Sequence, residues 1–330
     1  MSEAAPSQPD MHLETIHPLN LADPASQILR DSWKPPCLWY SPEYLRWQFR
    51  FSGSAAAIGV AAFDDEEPVG FCAVVPRWMR VGPDRIGVHL LSFLAVRPVW
   101  RGRSLAMAIY RSLIETLRET GGPIVAFVEP ETVAEQVLFR NFEDAGYRRR
   151  SLGKCRTYAY LARPERGIIA ASAEEADEGE FLEAMALCLA PEILWNDPGL
   201  DQLTHYRQDP RGRVLVVIRD PARLPIGAAM VVLSEVTTPH GLEYVPMIDS
   251  VYLPDPSADA LKALLRFAGQ HWADRSTSTV VTAPNLQGID PGLLRTVGLR
   301  ATQSCFHSYG FTAEESDPLR GASGTNLEVV

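Results

Sequence analysis

Apolar and polar positions along the chain fall into two stretches of similar design. In the first, Ala55 to Phe63 and Val69 to Val75 are apolar runs of strand length flanking the acidic turn Asp64-Asp65-Glu66-Glu67-Pro68, which predicts an antiparallel pair. Trp78 to Val81 and Arg85 to Val88 predict the next hairpin, turning at Gly82-Pro83-Asp84. A buried strand follows over about Gly87 to Val96. Leu105, Ala106, Ile109, Leu113, Ile114 and Leu117 then share one face of a helix over Ser104 to Glu119, with Arg111, Ser112, Glu115 and Arg118 opposite. Gly121-Gly122 ends it. Ile124 to Val128 is a short apolar strand, expected parallel to its predecessor because a helix connects them. A second helix over Thr132 to Asp144 stops at Gly146, and Tyr147 to Leu161 returns to strand. Upstream, Leu19 to Trp33 predicts a short helix, and Ser41-Pro42 starts another, with Ser as N-cap and Pro at the first helical position. Tyr44, Leu45, Trp47 and Phe49 give that helix an aromatic face, which packs on a sheet, walls an acceptor pocket, or does both.

Beyond a linker at Pro164 to Gly167 the same order returns in weaker form. Glu174 to Leu189 reads as helix, and Arg213 to Ile218 and Gly227 to Leu233 as strands. Tyr244 to Leu253 ends at a proline, as Leu90 to Pro98 does. A helix over Asp259 to Trp272 and a strand over Thr279 to Ala283 follow. Gly298-Leu299-Arg300 echoes Gly146-Tyr147-Arg148, and Cys305 to Phe311 echoes the strand at Thr157 to Leu161. The pattern implies an internal duplication: two α/β domains with mixed sheets, at 14–163 and 164–312, between a disordered 1–13 and a flexible tail at 313–330.

Composition narrows the class. A net charge of −10 argues against a general binder of nucleic acid or of anionic membranes. No apolar run approaches the length of a membrane span, and the polar, acidic N-terminus has no signal-peptide core. Cys37, Cys72, Cys155, Cys188 and Cys305 are odd in number and scattered, so neither a disulfide framework nor a zinc ribbon is expected, and a reduced, cytoplasmic protein is. The seven histidines form no metal motif, and neither G-x-x-x-x-G-K-[ST] nor G-x-G-x-x-G occurs.

The chemistry concentrates at Leu90 to Ala106. An apolar strand runs through Arg97-Pro98-Val99-Trp100-Arg101-Gly102-Arg103-Ser104 into a helix, and delivers unpaired backbone amides and a helix dipole to one point, a ready phosphate site. Arg101 and Arg103 add charge there. The second stretch has no such loop: Val251-Tyr252-Leu253-Pro254-Asp255-Pro256-Ser257-Ala258-Asp259 removes amide donors and adds acids.

This strand, loop and helix resemble the signature of the GNAT acyltransferase superfamily, [RQ]-x-x-G-x-[GA], with Arg101 and Ala106 matching and Ser104 where glycine is usual. The resemblance spans about Ala55 to Leu161. It implies acetyl-CoA or another acyl-CoA as co-substrate, without a metal. Phe93, Leu94, Ala95 and Val96 would serve the pantetheine arm and acyl carbonyl, and Arg101, Gly102, Arg103, Ser104, Leu105 and Ala106 the pyrophosphate. Tyr40-Ser41-Pro42-Glu43-Tyr44-Leu45-x-Trp47, with Ser92 to Val96, also resembles the N-myristoyltransferases, tandem GNAT folds in which the first segment borders the acceptor groove and Phe-Leu amides form the oxyanion hole. The chain ends in a polar tail and lacks that family's C-terminal ending, so only the layout carries over.

The reaction implied is attack of an amine, of a small molecule or a peptide, on a thioester. It needs an oxyanion hole, a base for the amine and an acid for the thiolate. The tyrosine often used as acid corresponds to Phe142, and the strand glutamate often used as base to Ser92. His89, Glu129 and Glu131 remain as candidate bases, with Trp39, Tyr40, Tyr252 and His307 as candidate acceptor contacts. Asp249, Cys305 and Tyr309 are further residues that could face the acceptor. Transfer of a longer acyl chain from CoA or a carrier protein, a CoA-binding module without catalysis, and a GNAT-like decarboxylase or other thioester enzyme are the competing readings.

Overall fold

The computed structural model describes residues 11–51, 56–162, 169–187, 193–286, 288–313 and 317–326. The first half contains β1 (Met11–Ile16), α1 (Ala22–Ser32), β2 (Cys37–Leu38), α2 (Pro42–Phe49), β3 (Ile58–Asp64), β4 (Glu67–Val81), β5 (Asp84–Val96), α3 (Leu105–Thr120), β6 (Ile124–Val128), α4 (Val133–Asp144) and β7 (Tyr147–Leu161). The second contains β8 (Ser172–Glu175), α5 (Glu178–Ala186), β9 (Ile193–Asn196), α6 (Leu200–Arg207), β10 (Val214–Arg219), β11 (Pro225–Thr238), β12 (Gly241–Tyr252), α7 (Ala258–His271), β13 (Val280–Ala283), α8 (Pro291–Thr296), β14 (Arg300–Ala313) and β15 (Gly324–Asn326).

The strands form one mixed sheet ordered β1-β3-β4-β5-β6-β14-β7-β13-β12-β11-β10-β8. The order mirrors itself about the β14/β7 pair. On each side one parallel pair, β5/β6 or β12/β13, is joined by a helical crossover, α3 or α7. The predicted duplication is therefore present, with an addition. Each half ends in a strand that crosses into the other half: β14 pairs with β6, and β7 with β13. The two halves share a seam of antiparallel pairing along almost the whole of β7 and β14.

Both faces of the sheet are covered. On one, α3 and α4 bury Ile109, Leu113, Leu138 and Phe142 against Val60, Cys72, Val74 and Ala126. On the other, α1, α2 and the segment between them bury Ile28, Leu45, Phe49 and Tyr40 in a core that continues into the second half through Phe181, Leu203, Tyr206 and Tyr252. Each large apolar side chain buried in this way stabilises by about 1.5–3 kcal/mol. The halves are thus held by shared apolar packing as well as by exchanged strands.

Several local expectations need correction. Residues 11–13 are ordered in β1, an edge strand on β3; its residues are exposed on both faces, so no apolar alternation marks it. Val69 to Val75 and Trp78 to Val81, read as separate strands, are one strand β4, and most of its length pairs with β5, with Pro76 accommodated opposite His89. The segment read as the start of a helix at Glu174 is strand β8, paired with β10. The helix begins after Asp177, whose side chain accepts from the Glu180 amide at 2.8 Å. The C-terminal segment is anchored rather than loose: Leu319 and Ala322 are buried with Met79, Leu90 and Leu152, and Asp317 pairs with Arg150 at 2.5 Å. The linker at 164–167 and Cys188 lie outside the described residues.

Candidate functional site

The sheet opens at one place in the first half. β5 and β6 pair from His89–Ile124 to Leu91–Ala126 and then part. Beyond that point, Ser92 to Val96 form one wall of a cleft, and Phe127 and Val128 the other. Across β6, Val128 pairs with His307 of β14. A strand of the second half therefore edges the cleft of the first.

A β-bulge shapes the β5 wall. Phe71 of β4 lies opposite Ala95, and Ala73 opposite Ser92, so Phe93 and Leu94 together oppose Cys72. Phe93 takes φ 59, left-handed for a residue with a large side chain. Such a conformation costs about 1–3 kcal/mol and persists only where packing enforces it. The enforcement is visible: the Phe93 ring is buried edge-on against Tyr40 at 5.2 Å and Phe49 at 5.7 Å. The bulge takes the Phe93 and Leu94 amides out of the regular ladder, which is how a backbone frees donors for a ligand carbonyl.

At the mouth of the cleft the loop enters α3. Pro98–Trp100 form a single 3-10 turn, and Gly102 (φ 78) and Ser104 (φ 58) are both left-handed. The second value explains why glycine suits the position of Ser104. Ser104 makes no side-chain cap, so the first-turn amides of α3 point outward without one. Arg103 lies over the Trp100 ring at 4.5 Å, exposed and available to an anion. Arg101 departs from expectation. Its guanidinium turns back to donate to the Ser32 carbonyl at 2.7 Å and the Val96 carbonyl at 3.2 Å. It ties the loop to the end of α1 rather than offering its charge to a phosphate. Arg97 is paired with Glu67.

The other candidates separate cleanly. His89 is buried at the opposite end of the β5/β6 pair, where its Nε2 donates to the Gly121 carbonyl at 3.0 Å. Burial lowers its pKa, against that hydrogen bond. It is removed from the cleft. Ser92 is buried, with its hydroxyl directed at the Leu90 carbonyl at 3.4 Å. Glu129 follows the last residue of β6, at the cleft edge; its carbonyl accepts from Thr132 at 2.8 Å. Phe142 is fully buried, stacked on Phe311 at 4.5 Å. Tyr40, against Phe93, stands behind the bulge; burial, the largest influence, pushes its hydroxyl pKa well up, with Arg211 opposing. Trp39 is half-buried under Arg30 at 5.5 Å. Tyr252 is not a surface contact at all: it is fully buried, stacked on Trp195, and donates to the Asn196 carbonyl at 3.1 Å.

His307 lies across β6 from the cleft, opposite Val128, with two partners. Its Nδ1 lies 3.0 Å from the Tyr309 hydroxyl, which donates to Glu135 Oε1 at 2.8 Å. Glu135 projects from the first turn of α4 and also accepts from the Glu131 amide at 2.9 Å. Burial alone would raise the Glu135 carboxyl; the Glu131 amide, Tyr309 and His307 outweigh it and hold the pKa below the ordinary value. Burial first, then Glu135, push the Tyr309 hydroxyl up to about 12. Sequence reading missed Glu135, because in sequence it is an unremarkable acid near a helix start. Only the register of β14 on β6 sets it beside His307.

The first half thus combines a mixed sheet whose parallel pair ends early, a bulged strand beside it and an uncapped helix start at its mouth. Residues 22–142 match the family model described as the acetyltransferase (GNAT) family. The segment 22–142 is therefore similar to the GNAT acetyltransferases, and the mirrored strand order repeats its layout in the second half. Among solved structures, Saccharomyces cerevisiae N-myristoyltransferase with bound myristoyl-CoA aligns with TM-score 0.70 at 12% identity, covering 100% of this chain and 87% of that one. A tandem GNAT protein from the clavulanic acid biosynthesis pathway aligns with TM-score 0.63 at 13% identity, over 93% and 100% of the two chains. A putative acetyltransferase from Pyrococcus horikoshii gives 0.59 at 13%, over 99% and 98%. At these identities the likeness is one of fold. No curated protein matches the sequence.

Proposed function

We propose that the protein transfers an acyl group, in the simplest case acetyl, from an acyl-CoA to an amine of a small molecule or peptide in the cytoplasm. The observation that carries this reading is the bulge at Phe93 and Leu94 beside the splayed end of β6, with the open N-terminus of α3 at the cleft mouth. In this reading the pyrophosphate rests on the amides at Gly102 to Ala106 and on Arg103. The pantetheine arm fills the gap between β5 and β6. The thioester carbonyl accepts from the Phe93 or Leu94 amide, which stabilises the oxyanion as the amine attacks. The acceptor enters past Trp39 and Tyr40. The half at 14–163 holds the donor and the half at 164–312 shapes the acceptor side.

Acetyl-, octanoyl- and myristoyl-CoA should each be tested for a rise in melting temperature, and for thiol release across a panel of amines. Binding with release supports the proposal, and a preference that rises with chain length assigns the long-chain form of it. Binding without release by any amine reduces the protein to a CoA-binding module. No shift with any acyl-CoA overturns the reading.

A further inference from the structure

We propose that His307, on a strand supplied by the second half, is the proton shuttle for acyl transfer, oriented by Tyr309 and Glu135. The inference rests on the acyl-CoA reading above and names the group that reading lacks, since neither Phe142 nor Ser92 can act as acid or base.

The hydrogen-bond chain fixes the tautomer. The phenol of Tyr309 has one proton and donates it to Glu135 Oε1 at 2.8 Å. The phenol oxygen then accepts from His307, 3.0 Å away, so Nδ1 carries the imidazole proton. Nε2 is left with its lone pair, buried and without a hydrogen-bond partner among the described residues. A buried ring nitrogen in that state takes a water, an ion or a substrate as its partner; His89 Nδ1 shares the state, and of the two only His307 lies beside the open end of β6. Carboxylate, hydroxyl and imidazole in sequence make the arrangement by which a base is held in its working tautomer.

Position agrees with chemistry. His307 pairs with Val128, the last residue of β6, where the cleft is open. The charged and titratable groups around it are Glu135 on α4, Tyr309 on its own strand, and Lys154, its direct partner on β7. Arg149 lies above Phe139, which packs on Tyr309, and Glu129 follows Val128.

The step balances without a further reactant. As the nitrogen of the free-base amine bonds to the thioester carbon, Nε2 takes one of its N–H protons. As the C–S bond breaks, the imidazolium returns that proton to the departing sulfur. The products are an amide and the thiol of CoA, and His307 is restored.

The test uses the full chain and acetyl-CoA. Thiol release is measured with and without an amine, because water is itself an acceptor. Proton–nitrogen correlation spectra of the His307 ring should show the Nδ1–H form, and Tyr309→Phe should shift it toward Nε2–H. His307→Gln should bind acetyl-CoA within about 2-fold of wild type while release falls at least about 100-fold. Tyr309→Phe, which keeps the ring and its packing, should give a smaller loss and guards against a folding defect in the first variant. An Nε2–H ring in the wild type, or wild-type release by His307→Gln with binding intact, overturns the shuttle alone. Absence of acetyl-CoA binding to the wild type overturns the reading beneath it.

Discussion

The rings of Tyr40 and Phe93 meet edge-on, 5.2 Å between centroids, at the one position of β5 where a bulky residue is left-handed. The segment between α1 and α2 thereby clamps the bulge from behind. Tyr40→Ala should lower stability by about 3 kcal/mol through the cavity it leaves. On the proposed function it should reduce kcat more than acyl-CoA affinity, because the Phe93 and Leu94 amides proposed to hold the oxyanion lose their support. Denaturant unfolding and steady-state kinetics check both parts.

Arg101 and Arg103 should part company on substitution. Arg103→Ala removes an exposed cation, so acyl-CoA affinity should fall about 10-fold with the melting temperature unchanged. Arg101→Ala breaks donations to the Ser32 and Val96 carbonyls, so stability should fall by about 1.5–3 kcal/mol together with affinity. Calorimetric titration beside thermal melts distinguishes them.

Ser104 stands left-handed in the loop. Ser104→Gly should hold or slightly raise stability, by about 0.5 kcal/mol, because the steric cost of a side chain there is offset in part by the greater freedom of the unfolded chain. It should tighten CoA binding by opening room beside the amides. Ser104→Val should do the reverse on both counts, as read by melting temperature and titration.

Acid stability should depend on a buried cluster in the second half. Asp209 bonds Arg211 at 2.8 Å and Arg213 at 3.1 Å. Burial alone would raise its carboxyl; the two arginines outweigh it and hold the pKa below the ordinary value. Hydrogen bonds from Arg219 and Arg223 lower Glu174 in the same way. A native pKa below the unfolded one contributes stability that is complete above the unfolded value, about pH 4, and is lost as pH falls through the native value. Asp209→Asn should cost about 3 kcal/mol at neutral pH and flatten the loss at acid pH. Denaturant unfolding from pH 7 down to pH 3 measures it.

Features that depend on neighbours in sequence were legible. Ser41 caps α2 as its hydroxyl predicts, accepting from the Tyr44 amide at 3.2 Å. The strand, loop and helix at Leu90 to Ala106 fold as their spacing requires, and β6 lies parallel to β5 because a helix joins them. Tyr252 shows the limit. A tyrosine at a strand end reads as a surface contact until Trp195 and Phe181, distant in sequence, are seen to cover it.

By itself the sequence determined the local elements, the duplication and the open amides at the head of α3, since caps, turns and apolar periodicity act over a few residues. Tertiary structure alone decided that β7 and β14 change places, that Phe93 is forced left-handed, that Arg101 turns inward, and that His307 meets Glu135. Each of these depends on which strand lies beside which. That choice is made by the packing of the whole sheet, where β14 takes both its partners, β6 and β7, from the first half.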